Sequence, residues 1–431
     1  MSEEVGLDEF QDNIEGEQGQ KWREVRLEDV SRKRSENVDP QEFNLDRHVG
    51  LEHIDPNTPY PEWEPVDSLS STKRRFEAGD ILFAKLRPNL EKSAQPGFEG
   101  VASTDIFPII AEEGINSKYL LYRLSSKSAY DYARRTSAGT RMPRTSWNLF
   151  SNFGFDLPPL EEQRRIATVL DDVDQAIQKT EEIIEKTKRL KKGVAQNLFH
   201  YGVDEEITKQ TWPGKIPKSW DVIQFSEIVE SNRNGLYKSE DAYGEGYPIA
   251  KMGNALENRV LDMSSADRLE LTENEGEKYG LQKDDLIFAR RAQEVSAAGD
   301  CCYVPKLDEL TVFESSLIRV RLTEDVNPKF YVQYFEGPVG SNSIERIVTE
   351  TSISGIATSD LLDLKVALPS IEEQNKIASI LWDFDEQVKA LRNEAEQYNY
   401  FKQGLMQDLL SGTVRTTDTN IEVPKEIAQH G

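Results

Sequence analysis

LPPLEEQRRIATVLDDVDQAIQKTEEIIEKTKRLKKGVAQNLF, residues Leu157 to Phe199, occurs twice in this chain. Laid over Leu368 to Leu410, LPSIEEQNKIASILWDFDEQVKALRNEAEQYNYFKQGLMQDLL, it matches without a gap at a constant offset of 211, with 15 of 43 positions identical. Self-similarity at so long a period means that one architectural unit is used twice. In the first copy Ile166, Val169, Val173, Ala176, Thr180, Ile183, Thr187, Leu190 and Val194 alternate steps of three and four. The second repeats the pattern at Ile377, Ile380, Phe384, Gln387, Leu391, Tyr398, Phe401 and Leu405. That spacing predicts a long helix with a narrow apolar seam, suited to a coiled-coil partner. Pro158 and Pro369 end the preceding extended segment, and the acidic pairs Glu161/Glu162 and Glu372/Glu373 fall in the first turn, where the helix dipole favours negative charge. Ser370 stands three residues before Glu373 and makes a capping box. A helix of about 40 residues is a rod of roughly 60 Å. Such a rod does not fold alone on one stripe, so the two are expected to pair with each other.

Working outward, the echo continues on both sides. Trp22, Val25, Leu27 and Val30 return as Trp220, Ile223, Phe225 and Ile228 at an offset of 198, and Gly79 to Lys85 returns as Asp284 to Arg290 at 205. Both halves are therefore copies of one plan whose middles differ by short loops. Short apolar runs bounded by Gly, Pro and Asp predict strands, with a helix over SKYLLYRLSSKSAYDYARR. The expected fold is mixed α/β (α+β): two globular domains alternating with two long helices that pair as an antiparallel coiled coil, with an internal pseudo-twofold repeat. The expected boundaries are an acidic disordered tail over 1–20, a first domain over 21–158, a helix over 159–201, a linker over 202–217, a second domain over 218–369, a helix over 370–411 and a polar tail over 412–431.

The net charge is −25, from 77 acidic and 52 basic residues. Taken alone this argues against a nucleic-acid partner, because phosphate contacts need a basic footprint. Acid spread over the whole surface also suits a cytoplasm with molar salt, where repulsion is screened within about 3 Å, and we read it as the mark of a halophilic host. No apolar stretch is long enough for a membrane span and the N-terminus is acidic, so a cytoplasmic location is expected. Cys301 and Cys302 are adjacent, which suits neither a disulfide nor a zinc site, and the four histidines are scattered; His48 and His53 lie five apart and read as loop residues.

Enzyme signatures are missing: there is no G-x-G-x-x-G, no Walker A sequence, and no Asn/Asp-Pro-Pro-aromatic loop for a flipped base. Asp360, Asp363 and Lys365 only faintly imitate a metal-dependent nuclease cluster. No catalytic residue, metal or cofactor is expected. What remains is arginine. Lys85 and Arg87 follow one strand echo, Arg290 and Arg291 the other, and Arg134, Arg135, Arg141 and Arg144 crowd ARRTSAGTRMPRTSW, a loop suited to phosphate and base-edge contacts. The matching stretch of the second half, IVTETSISGIATSD, has no arginine; there Lys251, Arg290, Arg291 and Arg346 are the candidates, with Ser352 as a neutral donor.

Two divergent domains, each closed by L-P-x-x-E-E-Q and a long helix, resemble the specificity subunit of a Type I restriction-modification system. The motif stands here as Leu157-Pro158-Pro159-Leu160-Glu161-Glu162-Gln163 and as Leu368-Pro369-Ser370-Ile371-Glu372-Glu373-Gln374, and the resemblance runs from Trp22 to about Arg415. It implies that each globular part is a target recognition domain reading one half of a split sequence in double-stranded DNA, and that the helices space the halves. It further implies that the helices bind two modification (methyltransferase) subunits, for which Glu161, Glu162, Gln163, Glu372, Glu373 and Gln374 are the candidate contacts. ATP-dependent restriction subunits join that core, and the chain itself is non-catalytic. A coiled-coil scaffold without DNA, or a self-sufficient nuclease or methyltransferase, are the competing readings.

Overall fold

The computed structural model describes residues 21–39, 45–56, 58–69, 71–204, 207–212, 214–256, 259–349, 354–417, 419 and 421–428. The acidic stretch 1–20, expected to be a tail, lies outside them. The chain forms two compact units, Met1–Glu182 with Leu391–Gly431 and Ile183–Ala390.

The globular part of the first unit runs through β1 (Arg23–Arg26), α1 (Leu27–Val30), β2 (Ser31–Lys33), β3 (Asn37–Val38), β4 (Arg47–Val49), β5 (Glu64–Pro65), β6 (Lys73–Phe76), β7 (Ile81–Ala84), β8 (Ser93–Ala94), β9 (Gly100–Ala102), β10 (Ile106–Ala111), α2 (Ser117–Leu124), α3 (Lys127–Arg135), α4 (Trp147–Phe150) and β11 (Gly154–Leu157). A long helix, α5 (Leu160–Tyr201), follows. The second globular part runs through β12 (Thr208–Gln210), β13 (Lys215–Pro217), β14 (Asp221–Gln224), β15 (Val229–Asn234), β16 (Tyr243–Ala250), α6 (Met252–Leu256), β17 (Arg268–Leu269), α7 (Glu273–Tyr279), β18 (Leu286–Ala289), β19 (Arg291–Ala292), β20 (Cys301–Tyr303), β21 (Val312–Phe313), β22 (Leu317–Leu322), α8 (Pro328–Glu336), α9 (Pro338–Glu345), β23 (Ser354–Gly355), α10 (Thr358–Leu362) and β24 (Lys365–Leu368). The helix α11 (Ile371–Ser411) and a last turn, α12 (Lys425–Ala428), complete the chain.

The repeat is visible in the pairing. The main sheet has the order β2-β10-β7-β8 in one domain and β15-β22-β18-β20 in the other, and each domain is closed by an antiparallel pair of an early strand with its last, β1 with β11 and β14 with β24. The apolar runs ILFA and LIFA are buried at every position, as central strands covered on both faces must be. A second sheet accompanies each main one and differs between the copies: the five-stranded β3-β6-β9-β4-β5 in the first, the three-stranded β17-β16-β21 in the second.

The helices pair antiparallel in both units. In the first, Asp174 of α5 meets Lys402 of α11 at 2.5 Å; in the second, Lys191 of α5 meets Asp385 of α11 at 2.7 Å. Lys191 and Asp385 are the repeat equivalents of Lys402 and Asp174, at the offset of 211. The buried line on α5 departs from the expected one. Ile177, Ile184, Lys191 and Ala195 are buried where Ile183 and Leu190 had been placed, and on α11 Ile380 and Phe401 are exposed. Lys191, buried on this line, faces the carboxylates of Asp385 and Glu336.

Two expected segments are more ordered than their composition suggests. The linker folds back as the β12–β13 hairpin with Ile216 buried, and the polar tail packs on the first domain, where Thr416 and Ile427 are buried. Asn116 donates to the Ile427 carbonyl at 2.7 Å, which accounts for a buried end in a polar stretch.

Candidate nucleic-acid interface

In the first domain the arginine-rich loop is a short hairpin. Ala138 and Arg144 exchange both backbone hydrogen bonds, and Gly139 takes a positive φ of 99° that a side chain would resist. The hairpin is stitched to the end of β7: Thr145 N–H donates to the Lys85 carbonyl at 3.1 Å and Arg87 N–H to the Pro143 carbonyl at 2.8 Å. Arg87 holds the left-handed conformation (φ 48°), which a non-glycine residue adopts only when its surroundings force it. The fold thus brings Lys85, Arg87, Arg141 and Arg144 together, although 54 residues separate Arg87 from Arg141.

These side chains differ in freedom. Arg87 and Arg141 are exposed and make no side-chain ion pair among the described residues. Arg144 is clamped by Asp105 through two bonds of 2.9 and 3.1 Å. Arg134 is tied to Glu91 and Asp131 and serves the fold; Arg135 lies over the Tyr132 ring. Lys85 lies over the Phe107 ring at 5.5 Å, and Lys33 approaches the same ring at 5.9 Å. Burial pulls the Lys85 ammonium below the usual lysine range, and the positive Arg74, Arg144 and Lys33 add to that against Asp105. Lys33 and Arg74 therefore belong to this cluster, and sequence reasoning missed them. Their signal was present, in the basic runs Arg32-Lys33-Arg34 and Lys73-Arg74-Arg75 of an acidic chain.

The second domain repeats the backbone pairing at the ends of this stretch, without the arginines. Thr349 and Gly355 exchange backbone bonds as Ala138 and Arg144 do, and β23 pairs with β19 at Arg291 and Ala292. Ser352 lies outside the described residues. Arg290 donates to the Ser315 carbonyl at 3.3 Å and Arg291 is exposed beside β23. Lys251 is held elsewhere, by Asp267 at 2.6 Å and over the Tyr243 ring, and Arg346 stacks on Trp212 at 4.7 Å.

The E-E-Q motif has an internal task. The indole N–H of Trp22 donates to Glu162 at 3.0 Å, and that of Trp220 to Glu373 at 2.8 Å. Gln163 accepts the backbone N–H of Asn116 (2.9 Å) and donates to the Pro158 carbonyl (2.9 Å); Gln374 does the same with Asn327 (2.8 Å) and Pro369 (3.0 Å). Asn116 and Asn327 cap α2 and α8. Glu162, Gln163 and Gln374 are buried and Glu373 partly so, and in this structure they fasten each domain to its own helix. Only Glu161 and Glu372 of the six are exposed.

No nuclease geometry forms at Asp360, Asp363 and Lys365, since Asp363 accepts a 2.6 Å bond from Gln224 and Lys365 is an exposed strand residue. The fold does bring donor atoms of His48, His53 and Glu64 within 4.8 Å of one another. His48 Nδ1 lies 2.8 Å from a Glu64 carboxylate oxygen and His53 Nδ1 accepts from the Gly50 N–H at 2.9 Å, while His48 Nε2 is buried without a hydrogen-bond partner.

A family model described as the Type I restriction modification DNA specificity domain matches residues 19–189 and 217–397. The chain is 29% identical over 375 residues to the putative Type I restriction enzyme MjaX specificity subunit of Methanocaldococcus jannaschii, covering 82% of each. It is 26% identical over 327 residues to the MjaVIII specificity subunit of the same organism (75% of this chain, 76% of that one). To the EcoKI specificity subunit of Escherichia coli it is 29% identical over 245 residues (56% and 52%). Among solved structures, the S subunit of a Type I restriction-modification system from M. genitalium shares the fold at a TM-score of 0.55 and 13% identity, over 91% of this chain and 97% of that one. A chain from a study of assembly and conformational transition in the Type I R-M system does so at 0.54 and 19%, over 92% and 99%.

Proposed function

The chain belongs to the Type I restriction modification DNA specificity family, both repeats being matched, and on that premise we propose how its residues divide the work. It is the non-catalytic specificity subunit of a restriction-modification assembly: it binds DNA in a sequence-specific way and assembles with the partners that carry the chemistry. The scaffold and self-sufficient-enzyme readings give way to this one.

Each globular domain reads one half of a split target. In the first, Arg87 and Arg141 supply free guanidiniums for base edges or phosphates, while Lys33, Arg74, Lys85 and Arg144 supply the positive field. In the second, Arg290 and Arg291 take that place, with Ser352 as a neutral donor and Lys251 and Arg346 as outlying phosphate contacts. The observation that carries the reading is one scaffold with unlike side chains: each domain is mounted on its helix by the same Trp–Glu and Asn–Gln bonds and repeats the same backbone pairing, at Ala138–Arg144 and at Thr349–Gly355, yet presents different residues.

The helices carry the partners. Leu190 of α5 and Phe401 of α11 are repeat equivalents, at an offset of 211, and are 59% and 57% exposed. Two equivalent apolar positions suit two copies of one modification subunit, with the exposed Glu161 and Glu372 at the starts of the same helices as further contacts. Restriction subunits join that core. No helix among the described residues is long and apolar enough to cross a membrane, and the work is done where the DNA lies, in the cytoplasm. Mapping methylated bases genome-wide in the host with and without this gene tests the reading. A split methylated motif that vanishes on deletion is expected; a methylome unchanged by deletion, with the modification subunit expressed, would refute it.

A further inference from the structure

On the second domain's main sheet Arg233 of β15 and Arg319 of β22 stand directly opposite each other across an antiparallel pair. Like charges so placed destabilise a sheet unless something neutralises them. Arg321 lies two residues on, hence on the same face, but its charge is met: it binds Asp285 through two bonds of 2.7 and 2.9 Å, with Glu230 acting from the strand irregularity nearby. Asp285 also accepts the Gln282 N–H, so both of its oxygens are already engaged and its charge is shared with Arg321. Arg319 is 6% exposed and donates through one arm to the Gly280 carbonyl at 3.0 Å; Arg233 lies over the Tyr279 ring at 5.7 Å. The Nε of both is buried without a hydrogen-bond partner, and neither side chain has an ion pair among the described residues.

The first domain shows how the same scaffold is closed by its own charges. Arg34 occupies the place of Arg233, its N–H bonding Pro108, the residue 211 before Arg319. There one guanidinium meets two carboxylates, Asp80 at 2.7 Å and Glu77 at 2.9 Å. Asp80 returns in the second domain as Asp285, but Glu77 returns as Gln282, and Pro108 and Ile110 return as Arg319 and Arg321. One acid is lost and two arginines are gained at a single spot, in a chain whose surplus is of acid. Burial of Arg319, together with Arg321 and Arg233 beside it and against the pull of Asp285, presses its guanidinium toward losing its proton, which an incoming anion would relieve.

We propose that Arg233 and Arg319, beside Tyr279, form an oxyanion site that takes a phosphate group. Paired planar guanidiniums match phosphate oxygens in charge and geometry. The source is a backbone phosphate of the DNA half-site or free phosphate, and only the first rests on the DNA-reading function.

The test uses the full chain. Thermal melting in inorganic phosphate is compared with melting in chloride of equal ionic strength, for the native chain, Arg233→Gln and Gln282→Glu, the last restoring the carboxylate found in the first domain. A phosphate-dependent rise of about 2 °C in the native chain, lost in both variants, is expected. Binding of target DNA is then followed against salt. A slope of log affinity against log salt that is smaller by about 0.9 in Arg233→Gln assigns the phosphate to DNA, and an unchanged slope assigns it to the free anion. A rise equal in all three proteins, or no rise, overturns the site. Should the native chain bind no target DNA, the DNA-reading function fails while the melting comparison still decides the site.

Discussion

At position 162 one carboxylate takes an indole N–H from Trp22, the Nε–H and one terminal N–H of Arg415 at 2.6 and 2.7 Å, and the Thr416 N–H. Burial pushes the Glu162 carboxyl up, but these donors together outweigh it and leave the group below the ordinary glutamate range. A group depressed in the folded state lends stability above its unfolded pKa and loses it as pH falls through the folded value. The native chain should therefore lose stability as pH drops below about 4.3, and Glu162→Gln, weaker by roughly 2 kcal/mol at pH 7, should lose less of it; parallel melting curves across pH check this. At the proposed interface, Arg141→Ala with Arg144→Ala should weaken binding to one half-site by about 1–3 kcal/mol for each true base contact and leave the other half-site unaffected. Competition with half-site-scrambled duplexes reads it, and equal loss at both halves would count against the assignment. The sequence showed these arginines as one basic loop but not their fates, because Arg134 and Arg144 are spent on Glu91, Asp131 and Asp105, which lie elsewhere in the chain.

The long helices were the most legible elements, since period and dipole charges are local properties, and their observed spans begin one residue inside the expected ones. The rotation of their seam was not legible. Lys191 and Lys402 look like surface lysines in sequence, yet each is drawn in by a carboxylate on the opposite helix. Burial holds Asp174 above the usual aspartate range despite the attraction of Lys402. Removing the lysine should thus leave an uncompensated buried acid: Lys402→Met is expected to cost about 3 kcal/mol or more, and the exchange of Asp174→Lys with Lys402→Asp to recover part of it, measured by denaturant unfolding. On the outer face of the same helices, Leu190→Asp and Phe401→Asp should each remove one modification subunit and together remove both, without loss of the fold. Native mass spectrometry of the assembly counts them; full occupancy in the double variant would place the partner elsewhere.

For the whole molecule, doubling and mixed architecture followed from the sequence because a repeat displays itself without knowledge of contacts. The flanking sheets and the order of strands did not, since they depend on pairings between residues far apart in the chain. The destination of the last residues was equally hidden: a polar composition reads as solvated, whereas Ile427 is buried beside Asn116 and Arg415 grips Glu162. That closure has a bearing on how the protein is made. The second unit, Ile183–Ala390, is a continuous stretch, while the first is assembled from Met1–Glu182 and Leu391–Gly431. On the ribosome the domain synthesised later can finish folding while the earlier one still waits for its final piece, the reverse of the usual order of domain maturation. Until residue 415 has left the ribosome, Trp22 and Glu162 remain without Arg415, and a nascent chain stalled before that point would expose a half-built first domain for chaperones to hold.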